Sequence, residues 1–67
     1  MTEESNQVQI SIFGQEYSVK APADSDYIKK IAEYLDDKMR EVQSGFSTTQ
    51  SSTRIAILAG MNITDEL

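Results

Sequence analysis

The chain has 67 residues with no cysteine and no histidine, and 11 acidic against 6 basic side chains give it a formal charge of −5. This composition disfavours disulfides, thiolate or imidazole metal sites, and binding to nucleic acid or anionic membranes, whose phosphates would repel it. A core this small rarely contributes more than about 3–5 kcal/mol unaided, so we expect oligomerisation to supply further stability.

The N-terminal segment is polar and acidic, and we interpret residues 1–7 as a short disordered tail. It has neither the basic start nor the apolar run of a signal peptide. The longest apolar stretch, residues 55–61, falls far short of the roughly 18 residues that span a bilayer. Together with the absence of cysteine, these features predict a cytoplasmic protein with no membrane contact.

Apolar and polar residues alternate along two neighbouring segments, residues 8–12 and 17–19. A period of two is typical of half-buried strands, and it predicts a β-hairpin over residues 8–20.

We place the hairpin turn at Gly14-Gln15, where glycine suits the first position of a type II′ turn. This choice pairs Ile12 with Tyr17 and keeps the apolar pairs on one face. Phe13 then falls on the outer face, where it is either a dimer contact or a cover for the turn.

A proline at position 22 ends the second strand, and we predict a first helix over residues 24–44. Asp24 or Ser25 can cap its N-terminus, and Gly45 follows its last turn. Its apolar stripe has the helical spacing of three and four: Ile28, Ile31, Ala32, Leu35, Met39 and Val42.

The polar run over residues 47–53 predicts a loop and an N-cap for a second helix over residues 52–67. No glycine or proline stop follows Ile63, so we expect this helix to be long or truncated. Gly60 lowers its helix propensity by about 1 kcal/mol, and a close helix crossing is the simplest explanation.

The second helix is apolar on nearly all sides. One stripe contains Ile55, Leu58, Ala59, Asn62 and Ile63, and the opposite side carries Ala56, Ile57 and Met61. The rest of one small domain can cover only one side of this helix, so we expect a second copy of the chain to cover the other side. The polar Asn62 either lies in the core or fixes the register of a helical assembly.

Three carboxylates on the first helix, Glu33, Asp36 and Asp37, could in principle hold a metal ion or transfer protons. Basic neighbours at matching spacings favour a solvated charged face instead. A serine nucleophile in the polar run would need an activating base, and the chain has no histidine. We therefore predict no enzyme, no metal and no cofactor.

Three segments together resemble the head domain of the ZapA family of bacterial cell-division proteins: V-Q-I-S-I-F-G-Q-E-Y-S-V, L-D-D-K-M-R-E-V and I-A-I-L-A-G-M-N-I-T-D-E-L. The resemblance covers residues 8–67. It implies an α+β head, a hairpin followed by two helices, that dimerises through the head and second helix. In the family a C-terminal coiled coil, missing here after Leu67, pairs dimers into tetramers.

The resemblance also implies a non-enzymatic protein that binds FtsZ, cross-links its protofilaments and promotes ring assembly at mid-cell. The positions it implies for partner contacts are Gln15, Ser18, Lys20, Thr53 and Arg54. Some relatives carry arginine at the first two, so a strongly basic contact is not implied for this chain.

The expected dimer interface contains Phe13, Ile55, Leu58, Ala59, Asn62 and Ile63. Leu58 could instead belong to the partner contact. The alternative function is a structural homodimerisation module of an unrelated assembly, without a filament partner.

Overall fold

A computed structural model describes residues 6–21 and 24–67. The elements are strands β1 (Asn6–Ile12) and β2 (Gln15–Ala21) and helices α1 (Ser25–Ser44) and α2 (Ser52–Glu66). This order confirms the predicted α+β fold of a hairpin followed by two helices. Strand β1 begins two residues before the predicted hairpin, so Asn6 and Gln7 belong to the strand. The rest of the predicted tail lies outside the described residues.

The turn of the hairpin is Phe13-Gly14, one residue before the predicted Gly14-Gln15. Both residues have positive φ, 52° for Phe13 and 80° for Gly14, as in a type I′ turn rather than the predicted type II′. Glycine adopts this region readily, whereas a left-handed conformation costs another L-residue about 1–2 kcal/mol. Phe13 therefore needs tertiary contacts to hold it there.

The register of the antiparallel strands changes with the turn. Ile12 pairs with Gln15 and Ile10 with Tyr17, so the predicted pairing of Ile12 with Tyr17 was wrong. The shift in partner is two residues, and side chains alternate with a period of two, so the paired strand residues keep their predicted faces. The predicted apolar face of the hairpin is therefore correct, although the predicted register is wrong.

Helix α1 begins where the Asp24 carboxylate accepts hydrogen bonds from the backbone N–H groups of Asp26, at 3.1 Å, and Tyr27, at 3.3 Å. This cap satisfies donors that the first turn leaves unpaired. Ala32 and Met39 of the predicted stripe are buried, but Ile31 is 48% exposed. The apolar stripe of α1 is thus wider than the surface that this single chain covers.

The connection to α2 is organised by Gln43. Its side-chain amide donates to the Thr48 carbonyl at 3.1 Å, and its side-chain oxygen accepts from the Gln50 N–H at 3.2 Å. The Ser51 hydroxyl then caps α2 by accepting from the Arg54 N–H at 3.2 Å. These bonds turn the chain back so that α2 packs beside α1.

The core lies where α1 meets both the hairpin and α2. Met39, Ile55 and Ala59 form its centre, and a ring of partly buried side chains surrounds them: Ile12, Phe13, Leu35 and Val42. The hairpin and α2 both pack on α1, and between them the surface stays open.

Candidate interface groove

An open apolar groove of about 550 Å³ separates the hairpin from α2. Leu35 and Met39 of α1 form its floor, and its walls come from Ile10, Ile12, Tyr17, Val19, Ala56 and Ile57. A monomer with this groove leaves a contiguous apolar surface in water, which in soluble proteins marks an interaction site.

The exposed side of α2 continues this surface along the helix. Ile57 is 59% exposed and Met61 is 64% exposed, and both border a shallow depression with Gly60 and Thr64. A Cβ atom placed on Gly60 would meet no atom within 4 Å. The close crossing predicted at Gly60 is therefore not made within this chain.

The structure corrects which stripe of α2 is available to a second copy. Ile55 and Ala59 have no exposed surface, because the single chain already covers them with α1 and the hairpin. They therefore leave the predicted dimer interface. Leu58 and Ile63 are half-buried and Asn62 is exposed. The uncovered side is the opposite one, with Ala56, Ile57 and Met61.

Several residues predicted to contact a partner come together at the groove. Gln15, Ser18 and Thr53 contribute to its lining. Lys20 and Arg54 are exposed and lie on β2 and the first turn of α2, outside that lining. The predicted partner contacts therefore divide into three residues that line the groove and two exposed cations that lie outside it.

Two hydrogen bonds orient the hairpin side chains near the groove. The Tyr17 hydroxyl donates to the Gln15 side-chain oxygen at 2.9 Å, and the Gln7 amide donates to the Ser18 hydroxyl at 2.9 Å. Tyr17, Ala56 and Ile57 also line the groove, but they were absent from the residues predicted for the partner contact and the dimer interface. The signal for the two α2 residues was in the sequence, since they belong to the second apolar stripe of that helix.

The hairpin tip is bound to α1 by Asp36. Its carboxylate accepts the Phe13 N–H at 2.6 Å and the Arg40 Nε–H at 2.9 Å, and the Arg40 guanidinium lies 5.8 Å from the centre of the Phe13 ring. The Arg40 hydrogen bond, followed by that of the Phe13 N–H, lowers the pKa of Asp36. Phe13 packs on the core, so its predicted place on the outer face of a strand was wrong.

A second polar contact joins the end of α2 to α1. The Tyr34 hydroxyl donates to the Glu66 carboxylate, which also pairs with Lys38. The Lys38 hydrogen bond, with a smaller contribution from Tyr34, lowers the pKa of Glu66. These residues connect the C-terminal end of α2 to the middle of α1.

Neither a metal centre nor a membrane span is found in residues 6–21 and 24–67. No three acidic side chains there are grouped to hold an ion, and no helix there is long and apolar enough to cross a bilayer. Asp36 accepts hydrogen bonds from the Phe13 N–H and the Arg40 Nε–H. The fold defines a small α+β module with an open apolar groove.

Comparison with known proteins places this module in a family. The family model described as "Cell division protein ZapA" matches residues 8–67. The ZapA of Halalkalibacterium halodurans is 34% identical over 64 residues, which cover 96% of this chain and 69% of that protein. The ZapA of Geobacillus sp. WCH70 is 33% identical over 61 residues, with 91% and 69% coverage. The chain belongs to the ZapA family of cell division proteins.

Two solved structures share the fold. A ZapA mutant dimer from Geobacillus stearothermophilus has a TM-score of 0.78 and 28% identity, covering 98% of this chain and 77% of that one. A chain described as "Unknown conserved bacterial protein from Pseudomonas aeruginosa PAO1" has a TM-score of 0.75 and 31% identity, covering 96% of this chain and 68% of that one.

Proposed function

We propose that this chain is a non-enzymatic accessory protein of cell division. It self-associates through the groove, binds FtsZ in the cytoplasm at mid-cell, and promotes protofilament cross-linking and ring assembly. Membership of the ZapA family supports the role in division. The open apolar groove is the observation that supports self-association.

The uncovered side of α2 favours self-association. Ile57 keeps 59% of its surface exposed in the single chain, whereas full burial of such a side chain contributes about 1.5–3 kcal/mol. A second copy that places its own α2 against the groove would bury Ile57 and Met61 together. A solved ZapA relative of the same fold is a mutant dimer, which supports self-association.

Self-association also provides the proposed mechanism of cross-linking. A dimer presents two equal heads, so it can contact two filaments, and its avidity exceeds the affinity of either head. We infer that Lys20 and Arg54, which lie outside the groove lining, stay available for the FtsZ contact when a second copy fills the groove. Gln15, Ser18 and Thr53 belong to the lining itself.

Self-association is tested by sedimentation equilibrium of the chain and of Ile57→Asp. Because Ile57 is largely exposed in the single chain, the variant should fold, and a charge in the groove should leave it monomeric. Thr49→Asp is the matched control, since it adds the same charge on an exposed loop residue. A variant as dimeric as its control would remove the groove from the interface.

FtsZ binding is tested by co-sedimentation with FtsZ filaments. The chain should pellet with the filaments, and the double variant Lys20→Ala/Arg54→Ala should pellet less while remaining dimeric. A dimer that never pellets with FtsZ would instead favour a structural homodimerisation module without a filament partner.

A further inference from the structure

We propose that Asp36 is a positioning residue for self-association: it holds the hairpin tip against α1 and thereby fixes one wall of the groove. The inference deepens the proposed function and rests on self-association through the groove.

The tip adopts a conformation that its own sequence disfavours. Phe13 has a φ of 52°, and a bulky L-residue in that region is held there by its surroundings. An asparagine would suit this turn position better than phenylalanine. What holds Phe13 in place therefore comes from the tertiary structure.

Asp36 provides that constraint through the backbone. Its carboxylate accepts the Phe13 N–H at 2.6 Å across 23 residues of sequence, and a charged acceptor makes this bond stronger than a neutral one. Arg40 fixes the other carboxylate oxygen at 2.9 Å and lies over the Phe13 ring. The three residues form one chain of contacts, from Arg40 through Asp36 to the turn.

The tip and the groove wall are continuous. Ile12 and Gln15, the residues on either side of the turn, both line the groove, as does Phe13 itself. A tip released from α1 would let this wall move, and each association event would then have to order it again. A fixed tip avoids that loss of conformational entropy on binding.

The primary test compares Asp36→Asn with Asp37→Asn. Both remove one negative charge from adjacent helical positions, but Asp37 is exposed and makes no bond to the hairpin. In Asp36→Asn, the Phe13 amide resonance should move upfield and lose protection from hydrogen exchange.

The dissociation constant for self-association of Asp36→Asn should rise about tenfold, because one charge-assisted bond that orders the groove wall is lost. Asp37→Asn should change neither quantity, and Asp36→Glu, which keeps the charge, should recover most of the affinity.

The outcomes separate this inference from the proposed function. An unchanged Phe13 amide in Asp36→Asn would overturn the anchor, and a released tip with unchanged affinity would overturn its positioning role. A wild-type chain that stays monomeric would instead refute self-association itself. If Asp36→Asn does not fold, Arg40→Gln replaces it: a two- to threefold rise in the dissociation constant is expected, and an unchanged constant overturns the inference.

Discussion

Replacing Gly60 by alanine should strengthen the fold of the single chain and weaken its self-association. Gly60 lies inside α2, where alanine is favoured over glycine by about 0.8–1 kcal/mol. The added Cβ would meet no atom within 4 Å in this chain, so no steric term offsets the gain. In a dimer that packs α2 of a second copy on Ile57 and Met61, the same methyl group would occupy the space that glycine leaves for close approach.

The change in folding stability and the change in self-association can be measured separately at different protein concentrations. Thermal or urea unfolding at concentrations where the chain is monomeric should show Gly60→Ala to be more stable by about 0.5–1 kcal/mol. Sedimentation equilibrium at higher concentrations should show a dissociation constant raised by about tenfold, equivalent to overpacking of about 1.4 kcal/mol.

Gly45→Ala is the matched control for this experiment. Gly45 follows α1 with a φ of −82°, which alanine adopts freely, and it lies away from the exposed side of α2. It should alter stability slightly and self-association not at all. A Gly60→Ala monomer that is less stable than wild type would refute the open space at this site. A variant that is more stable but associates as well as wild type would refute the helix crossing at Gly60.

Three further predictions concern the fold. Gly14→Ala should destabilise the chain by about 1–2 kcal/mol, because Gly14 has a φ of 80° that alanine disfavours; equal urea midpoints would contradict the turn. Ile55→Ala should cost about 2–5 kcal/mol, since Ile55 is fully buried, and a loss below about 1 kcal/mol would place it outside the core. The lowered pKa values of Asp36 and Glu66 stabilise the folded chain above the ordinary carboxyl range, and this contribution disappears as pH falls through the lowered values. Melting temperature should therefore drop below about pH 4, and less so in Asp36→Asn; a melting temperature that rises on acidification would contradict both ion pairs.

The hairpin illustrates how far a repeating pattern determines structure. Alternation assigned Ile10, Ile12 and Tyr17 to one face, and the structure places them there. It could not locate the turn, because a period of two is unchanged when the pairing shifts by two residues. The turn includes Phe13, which has an unfavourable φ and donates its N–H to the Asp36 carboxylate of α1. No local rule predicts a hydrogen-bond partner so distant in sequence.

Helix α2 shows the same division. The sequence by itself determined that α2 has two apolar sides and that one small head covers only one of them. The tertiary structure alone decided which side: Ile55 and Ala59 fit against Met39 in the core, and Ile57 and Met61 are left outside. The physical reason is that helical periodicity records which residues share a side but not which side packs inward, since that depends on side-chain shape and on the position of the hairpin and α1.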